Sequence, residues 1–325
     1  MKRSPIIPAF VAASTLALAG CAGASSATPS STSADDRPVV VASTSVYGQI
    51  AEEIGGDAVQ VVSIVSSTSQ DPHEFEPSAQ DQLTVADADL IIENGGGYDA
   101  FVDALIESTG SSAHVLTAAE FSDAWPGEDG EEHEHADEDA DEDHAGHDHI
   151  EGFNEHVWYD PDTIEHVAEG IAEELGELVP ADAATFTANA EAFVAQIETL
   201  ETALGAIEAD HKGAKVFVTE PVPVYLIEAA GLENVTPAEF SEAVEEGQDV
   251  PPATLLEATE LIKSGGVDVV IQNTQTGGAE TTQVVDEAEG LGIPVIAFSE
   301  TLPEGQTYIS WMQDNIDALA EALAP

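Results

Sequence analysis

The sequence predicts an α/β protein of two lobes, each a mostly parallel sheet flanked by helices, joined by one long rigid helix. Three observations carry this. From Pro38 onward, short β-branched runs alternate with amphipathic helical stretches, as in parallel βαβ units. The same alternation resumes at Lys215, without any sequence repeat. Between the two halves, Asp182 to Asp210 holds no Pro, no Gly before Gly205, and apolar residues at helical spacing.

The first half opens with a strand, Val39 to Ser43, and a helix, Val46 to Ile54, that stops at Gly55-Gly56. Strands follow at Val59 to Val65 and Leu90 to Glu93, the latter ending in Asn94-Gly95-Gly96-Gly97. A helix over Tyr98 to Glu107 and a strand over Ala113 to Thr117 come next, then a helix over Pro161 to Leu178. In the linking stretch Phe186, Phe193, Ile197 and Leu200 mark one face; as a continuous helix it would be on the order of 40 Å long. A break near Gly205 would instead give two ordinary helices. The second half reads as strands at Lys215 to Thr219, Val267 to Gln272 and Pro294 to Ser299. Its helices are Leu255 to Ser264, Thr281 to Leu291 and Thr307 to Leu323. The expected divisions are 37–180 for the first lobe, 181–211 for the helix and 212–325 for the second lobe.

The N-terminus reads as a targeting segment. Lys2 and Arg3 precede an apolar stretch, Ile6 to Leu18, too short to span a bilayer. It ends in Leu18-Ala19-Gly20-Cys21, which resembles a bacterial lipobox cut before its cysteine. Residues 1–20 are therefore expected to be a lipoprotein signal, with Cys21 lipidated. Cys21 is the only cysteine, which excludes an internal disulfide. Residues 21–36, rich in Ser, Thr and Ala, read as a disordered tether. The expected location is the extracytoplasmic face of the cell membrane.

Six basic against 64 acidic residues give a formal net charge of -58. After the signal only Arg37, Lys212, Lys215 and Lys263 remain basic, which argues against a nucleic-acid partner. Such a chain attracts cations, although general acidity for solubility explains most of the charge.

The residues with ligating chemistry cluster in motifs. Residues 126–152 form an acidic low-complexity loop with His133, His135, His144, His147 and His149. Imidazoles and carboxylates coordinate divalent metals, so this loop reads as a weak auxiliary capture segment. His156 lies in N-E-H-V-W-Y-D-P, Asn154 to Pro161, where Asp160 suits an N-cap and Pro161 the first helical position. His73 lies in D-P-H-E-F-E-P-S, on a strand-to-helix loop before a helix start at Ser78 with Asp81 as its capping-box partner. Loops at the carboxyl ends of parallel strands are where α/β folds bind ligands. Glu220, before Pro221 and Pro223, and Glu300, in F-S-E-T-L-P, stand at two further strand ends. His114, His166 and His211 have no supporting pattern.

The lipobox, the two histidine motifs, the His-rich insert, the long helix and V-T-E-P-V-P-V-Y-L-I-E-A-A-G-L occur in one order. That order resembles the metal-specific solute-binding proteins of ABC importers, the zinc and manganese receptor family. The resemblance implies two α/β lobes joined by a long helix, with a metal in the cleft between them. Residue by residue it implies His73, His156, Glu220 and Glu300 as metal ligands, Glu300 standing where the family usually has aspartate. It further implies no enzymatic activity, a permease with its ATPase subunit as partners, and a monomer. Zn2+ is the expected cargo, because His-rich inserts accompany zinc-type members. Two imidazoles with two carboxylates lean instead toward Mn2+ (or iron). A secreted zinc hydrolase and a surface adhesin are the rivals from other classes. The first lacks H-E-x-x-H; the second lacks an aromatic stripe or a repeat.

Overall fold

The structure is a computed structural model and describes residues 37–127, 150 and 152–324. Two four-stranded sheets, both entirely parallel, organise it. The first comprises β1 (Val39–Thr44), β2 (Gln60–Val65), β3 (Leu90–Glu93) and β4 (His114–Thr117), in the order β2-β1-β3-β4. The second comprises β5 (Lys215–Val218), β6 (Glu233–Asn234), β7 (Val269–Asn273) and β8 (Val295–Phe298), in the order β6-β5-β7-β8. The order reverses beside the first strand of each sheet, which opens a crevice at its carboxyl edge. Register sets Val40 opposite both Val61 and Leu90, and Val216 opposite Val269. Strands covered on both faces favour continuous β-branched runs over alternation, and Val39-Val40-Val41 and Leu90-Ile91-Ile92 follow that rule.

The helices of the first half are α1 (Ser45–Gly55), α2 (Ala79–Ala86), α3 (Phe101–Thr109) and α4 (Pro161–Leu178). Gly56, at φ 52°, ends α1 in a conformation few other residues adopt. Ser78 and Asp81 form the expected capping box on α2. Then α5 (Ala183–His211) runs 29 residues without interruption through Gly205, so the linking stretch is one helix rather than two. The remaining helices are α6 (Val224–Ala229), α7 (Ala238–Glu245), α8 (Pro252–Lys263), α9 (Ala279–Leu291) and α10 (Tyr308–Leu323).

One hydrophobic core runs through the molecule. It includes Val40, Ile50 and Leu90 from the first half, Phe193, Ile197 and Leu200 from α5, and Val216, Ile271 and Trp311 from the second. The returning helix α10 supplies Tyr308, Trp311, Met312 and Ile316 to that core. The Tyr308 hydroxyl donates to Trp158 O at 2.8 Å, and Tyr308 N donates to Gln49 Oε1 at 2.7 Å. Smaller clusters cover the outer faces, around Phe217 and Phe240 in the second half and around Ile91 and Phe101 in the first.

Candidate metal centre

The carboxyl edges of the two sheets face one another, and the residues there converge. His73 is carried by the loop between β2 and α2, where its backbone N–H donates to Asp71 Oδ1 at 2.9 Å. His156 precedes a short 3-10 turn, Val157–Tyr159, leading into α4. Glu220 stands just beyond β5 and Glu300 just beyond β8. All four are buried. His73, His156 and Glu300 each offer one ligating atom, and the three atoms lie within 4.8 Å of one another.

Glu220 joins them through Asn273, the last residue of β7. Its Nδ2 donates to Glu220 Oε2 at 2.7 Å and to Glu300 Oε1 at 2.6 Å, so one amide spans the two carboxylates. Glu220 also accepts from the Thr276 hydroxyl, and Glu300 from the Tyr98 hydroxyl at 3.2 Å. Gln275 adds a strut across the cleft: Nε2 donates to Gln70 O, while Oε1 accepts from the backbone N–H groups of Glu300 and Thr301.

The protonation of His156 follows from its neighbour. Nδ1 lies 2.7 Å from Asn154 Oδ1, an amide oxygen that only accepts. The Asn154 amide is fixed in turn by Nδ2 donating to Pro221 O at 3.1 Å. Nδ1 therefore carries a proton, and in the neutral ring the lone pair falls to Nε2, the arrangement a metal-ligating imidazole requires. Nε2 faces Glu245 Oε1 at 3.7 Å.

Aromatic rings wall the site. Tyr98 packs edge-on to His73 with centroids 4.7 Å apart, and Trp158 lies 5.1 Å from His156. Tyr98 is placed by the turn Gly95-Gly96-Gly97, all three at positive φ. A Cβ on Gly95 would sit 2.3 Å from Thr117 Cγ2, so only glycine fits.

These carboxylates are buried together with no described Lys or Arg beside them. Burial pushes Glu220 up to about 7, and Asp71 adds repulsion. Burial, then Glu220 and Asp71, push Glu300 up to about 8, against the bonds from Asn273 and Tyr98. Glu245 is raised by burial, then by Glu155, Glu220 and Glu300. A dication at this point would relieve what drives all three upward.

Four contributors are not expected as site residues from the sequence. Tyr98 and Asn273 bond the expected ligands, while Glu155 and Glu245 form a second ligating trio with His73. Glu155 lies inside a motif singled out for its histidine, which is the one available signal. His114 pairs with Glu174 at 2.8 Å on the exposed surface, and His166 lies 3.7 Å from Glu169, both away from the cleft residues. Cys21 and the histidines at 133, 135, 144, 147 and 149 lie outside the described residues.

Comparison with known proteins identifies the family and the fold. The family described as zinc-uptake complex component A, periplasmic (ZnuA), matches residues 40–322. The manganese-binding lipoprotein MntA of Halalkalibacterium halodurans is 27% identical over 291 residues, covering 88% of either chain. The zinc-binding lipoprotein AdcA of Streptococcus pneumoniae is 27% identical over 281 residues, covering 84% of this chain but only 53% of AdcA. The solved structure of the periplasmic zinc-binding protein TroA from Treponema pallidum shares the fold. Its TM-score is 0.69 at 19% identity, with 89% of this chain and all of that one covered. With a family match spanning nearly all the described residues, the chain belongs to the zinc-uptake complex component A family.

Proposed function

We propose that this protein is the extracytoplasmic, lipid-anchored receptor of an ABC importer. It captures one divalent transition-metal ion in the cleft and delivers it to a permease driven by an ATPase subunit. Its role is binding, not catalysis. The observation that carries the reading is the convergence of His73, His156 and Glu300 within 4.8 Å at the facing sheet edges, with Glu220 tied to Glu300 through Asn273. His73, His156, Glu220 and Glu300 are the proposed ligands, two imidazoles from the first lobe and two carboxylates from the second. The lobes are those divided at 37–180 and 212–325, with the helix between them.

Two carboxylates balance a dication, and that balance permits burial. Zinc is the favoured cargo, since imidazole suits zinc and tetrahedral sites accept monodentate carboxylates. Manganese is the second reading, supported by the hard half of the donor set and by the manganese named for MntA. The histidines of the acidic loop raise the local metal concentration without forming the main site.

Isothermal titration tests the assignment. His73→Ala and His156→Ala should each weaken binding by more than about 100-fold, beyond what loss of an outer hydrogen-bonding partner costs. Tight binding retained in both would refute it. Competition between Zn2+ and Mn2+ on the metal-free protein decides the cargo.

A further inference from the structure

The proposed ligands leave two neighbouring acids without a role, Glu155 buried and Glu245 partly so. Glu155 precedes His156, and Glu245 ends α7. With His73 they form a second trio whose ligating atoms also lie within 4.8 Å of one another. His73 belongs to both trios.

Of the two trios only the second reaches the neighbouring cleft, through Glu245. An open cleft of about 970 Å³ lies beside the site, walled by acids that include Asp71, Glu74, Glu76, Asp249 and Glu280, and by no Lys or Arg. Glu245 lines that cleft; His73, Glu155, His156, Glu220 and Glu300 lie behind its lining. Yet the Glu245 side chain is only 9% exposed, and it points inward to face His156 Nε2 at 3.7 Å. Its Oε1 is buried and accepts no hydrogen bond among the described residues. A buried carboxylate oxygen without a donor is costly unless a cation completes it.

Resting on the receptor reading, we propose that His73, Glu155 and Glu245 form a second metal station at the inner wall of the cleft, from which the ion passes to His73, His156, Glu220 and Glu300. Glu245 exchanges water of the arriving ion for protein oxygen while the ion is still open to the cleft. The shared His73 then lets the ion move inward without returning to bulk water. Such a station lowers the barrier in both directions and leaves the equilibrium at the inner site unchanged.

Trp158, beside His156, reports arrival at the inner site. Co2+ is the probe, followed by stopped-flow quenching of tryptophan fluorescence; dissociation is triggered with excess chelator. In Glu245→Gln, arrival and dissociation should both slow about tenfold while Kd stays within about threefold, since the variant removes a step on the path and not a final ligand. Asp249→Asn, an exposed cleft acid outside both trios, should change arrival by less than about twofold. Glu155→Gln should repeat the Glu245→Gln pattern, and decides the question if thermal melts show that the latter does not fold. Unchanged rates in both variants overturn the proposal. So does equal slowing in Asp249→Asn, which would assign the effect to the general field of the cleft. A raised Kd with unchanged arrival also overturns it, because Glu245 would then be an ordinary ligand of the inner site. Failure of the receptor reading is separate: wild-type protein would then show no saturable quench.

Discussion

With Glu220 and Glu300 as the proposed ligands, metal capture is a proton exchange whose size follows from the site. Carboxylates coordinate only when ionised. Glu300, at about 8, and Glu220, at about 7, hold protons in the empty site at mildly acid pH. At pH 6, ionising Glu300 costs about 2.7 kcal/mol and Glu220 about 1.4 kcal/mol, because each pH unit below the pKa costs about 1.36 kcal/mol. Together these give about 4 kcal/mol, or on the order of 10³ in affinity between pH 6 and pH 9. The sign is fixed: binding strengthens as pH rises through 7 and then 8, with the steeper slope on the acid side, where two protons must leave. Imidazole protons compete in the same direction. Titration calorimetry in buffers of different ionisation enthalpy measures this directly. About two protons should leave per ion at pH 6, and well under one at pH 9. A flat Kd over that range, or negligible proton release at pH 6, would show that these carboxylates do not meet the ion.

Further outcomes are expected. Asn273→Ala removes the amide that spaces Glu220 from Glu300. It should weaken metal binding about 10–100-fold in a competition titration, the usual loss when a ligand's outer partner is removed. Leu200→Ala, in the middle of α5 and 1% exposed, should cost about 2–5 kcal/mol in denaturant unfolding; a loss under about 1 kcal/mol would mean that this stretch of the core is not tightly packed. Metal-free protein should melt at a lower temperature at pH 8 than at pH 5. Glu93, Glu220 and Glu300 all have folded pKa values raised above their unfolded ones, so the folded state binds more protons and loses stability as pH climbs through 7 and 8. Saturating metal should reverse that order, since the ion binds only the folded, ionised site.

The regular frame is legible because its signals are local. Helix α4 begins at Pro161 and ends at Leu178 as the Asp160-Pro161 start and the apolar spacing predict, and β3 coincides with Leu90 to Glu93. What escapes is whatever depends on tertiary neighbours. Strand β6 has two residues, Glu233 and Asn234, both exposed, so neither β-branching nor alternation marks it. Helix α7 reads as one more acidic stretch, since Glu239, Glu242 and Glu245 interrupt its apolar face of Phe240, Ala243 and Val244. Within the site, His73 and His156 stand out because five of the ten histidines lie in the acidic insert and, of the rest, these two sit in loops beside turn signals. Glu220 and Glu300 gain weight only from the resemblance. Glu245 has no such help: in a chain with 64 acidic residues, one more glutamate means nothing until folding turns it inward. Asn273 and Tyr98 are invisible for the related reason that hydrogen-bonding a ligand leaves no periodic trace.

The unbroken core through α5 has a mechanical consequence. Phe193 of α5 packs against Tyr308 of α10, and Tyr308 in turn bonds Trp158 and Gln49 of the opposite half. Swinging the two halves apart about a hinge would tear this packing and wet apolar surface, at roughly 25 cal/mol for each Å² uncovered. The backbone therefore acts as a rigid chassis. If a permease reads the loaded state of this protein, that signal is expected at the rim, where Glu245, Gln275 and the loop bearing His73 meet, and not in the angle between the halves.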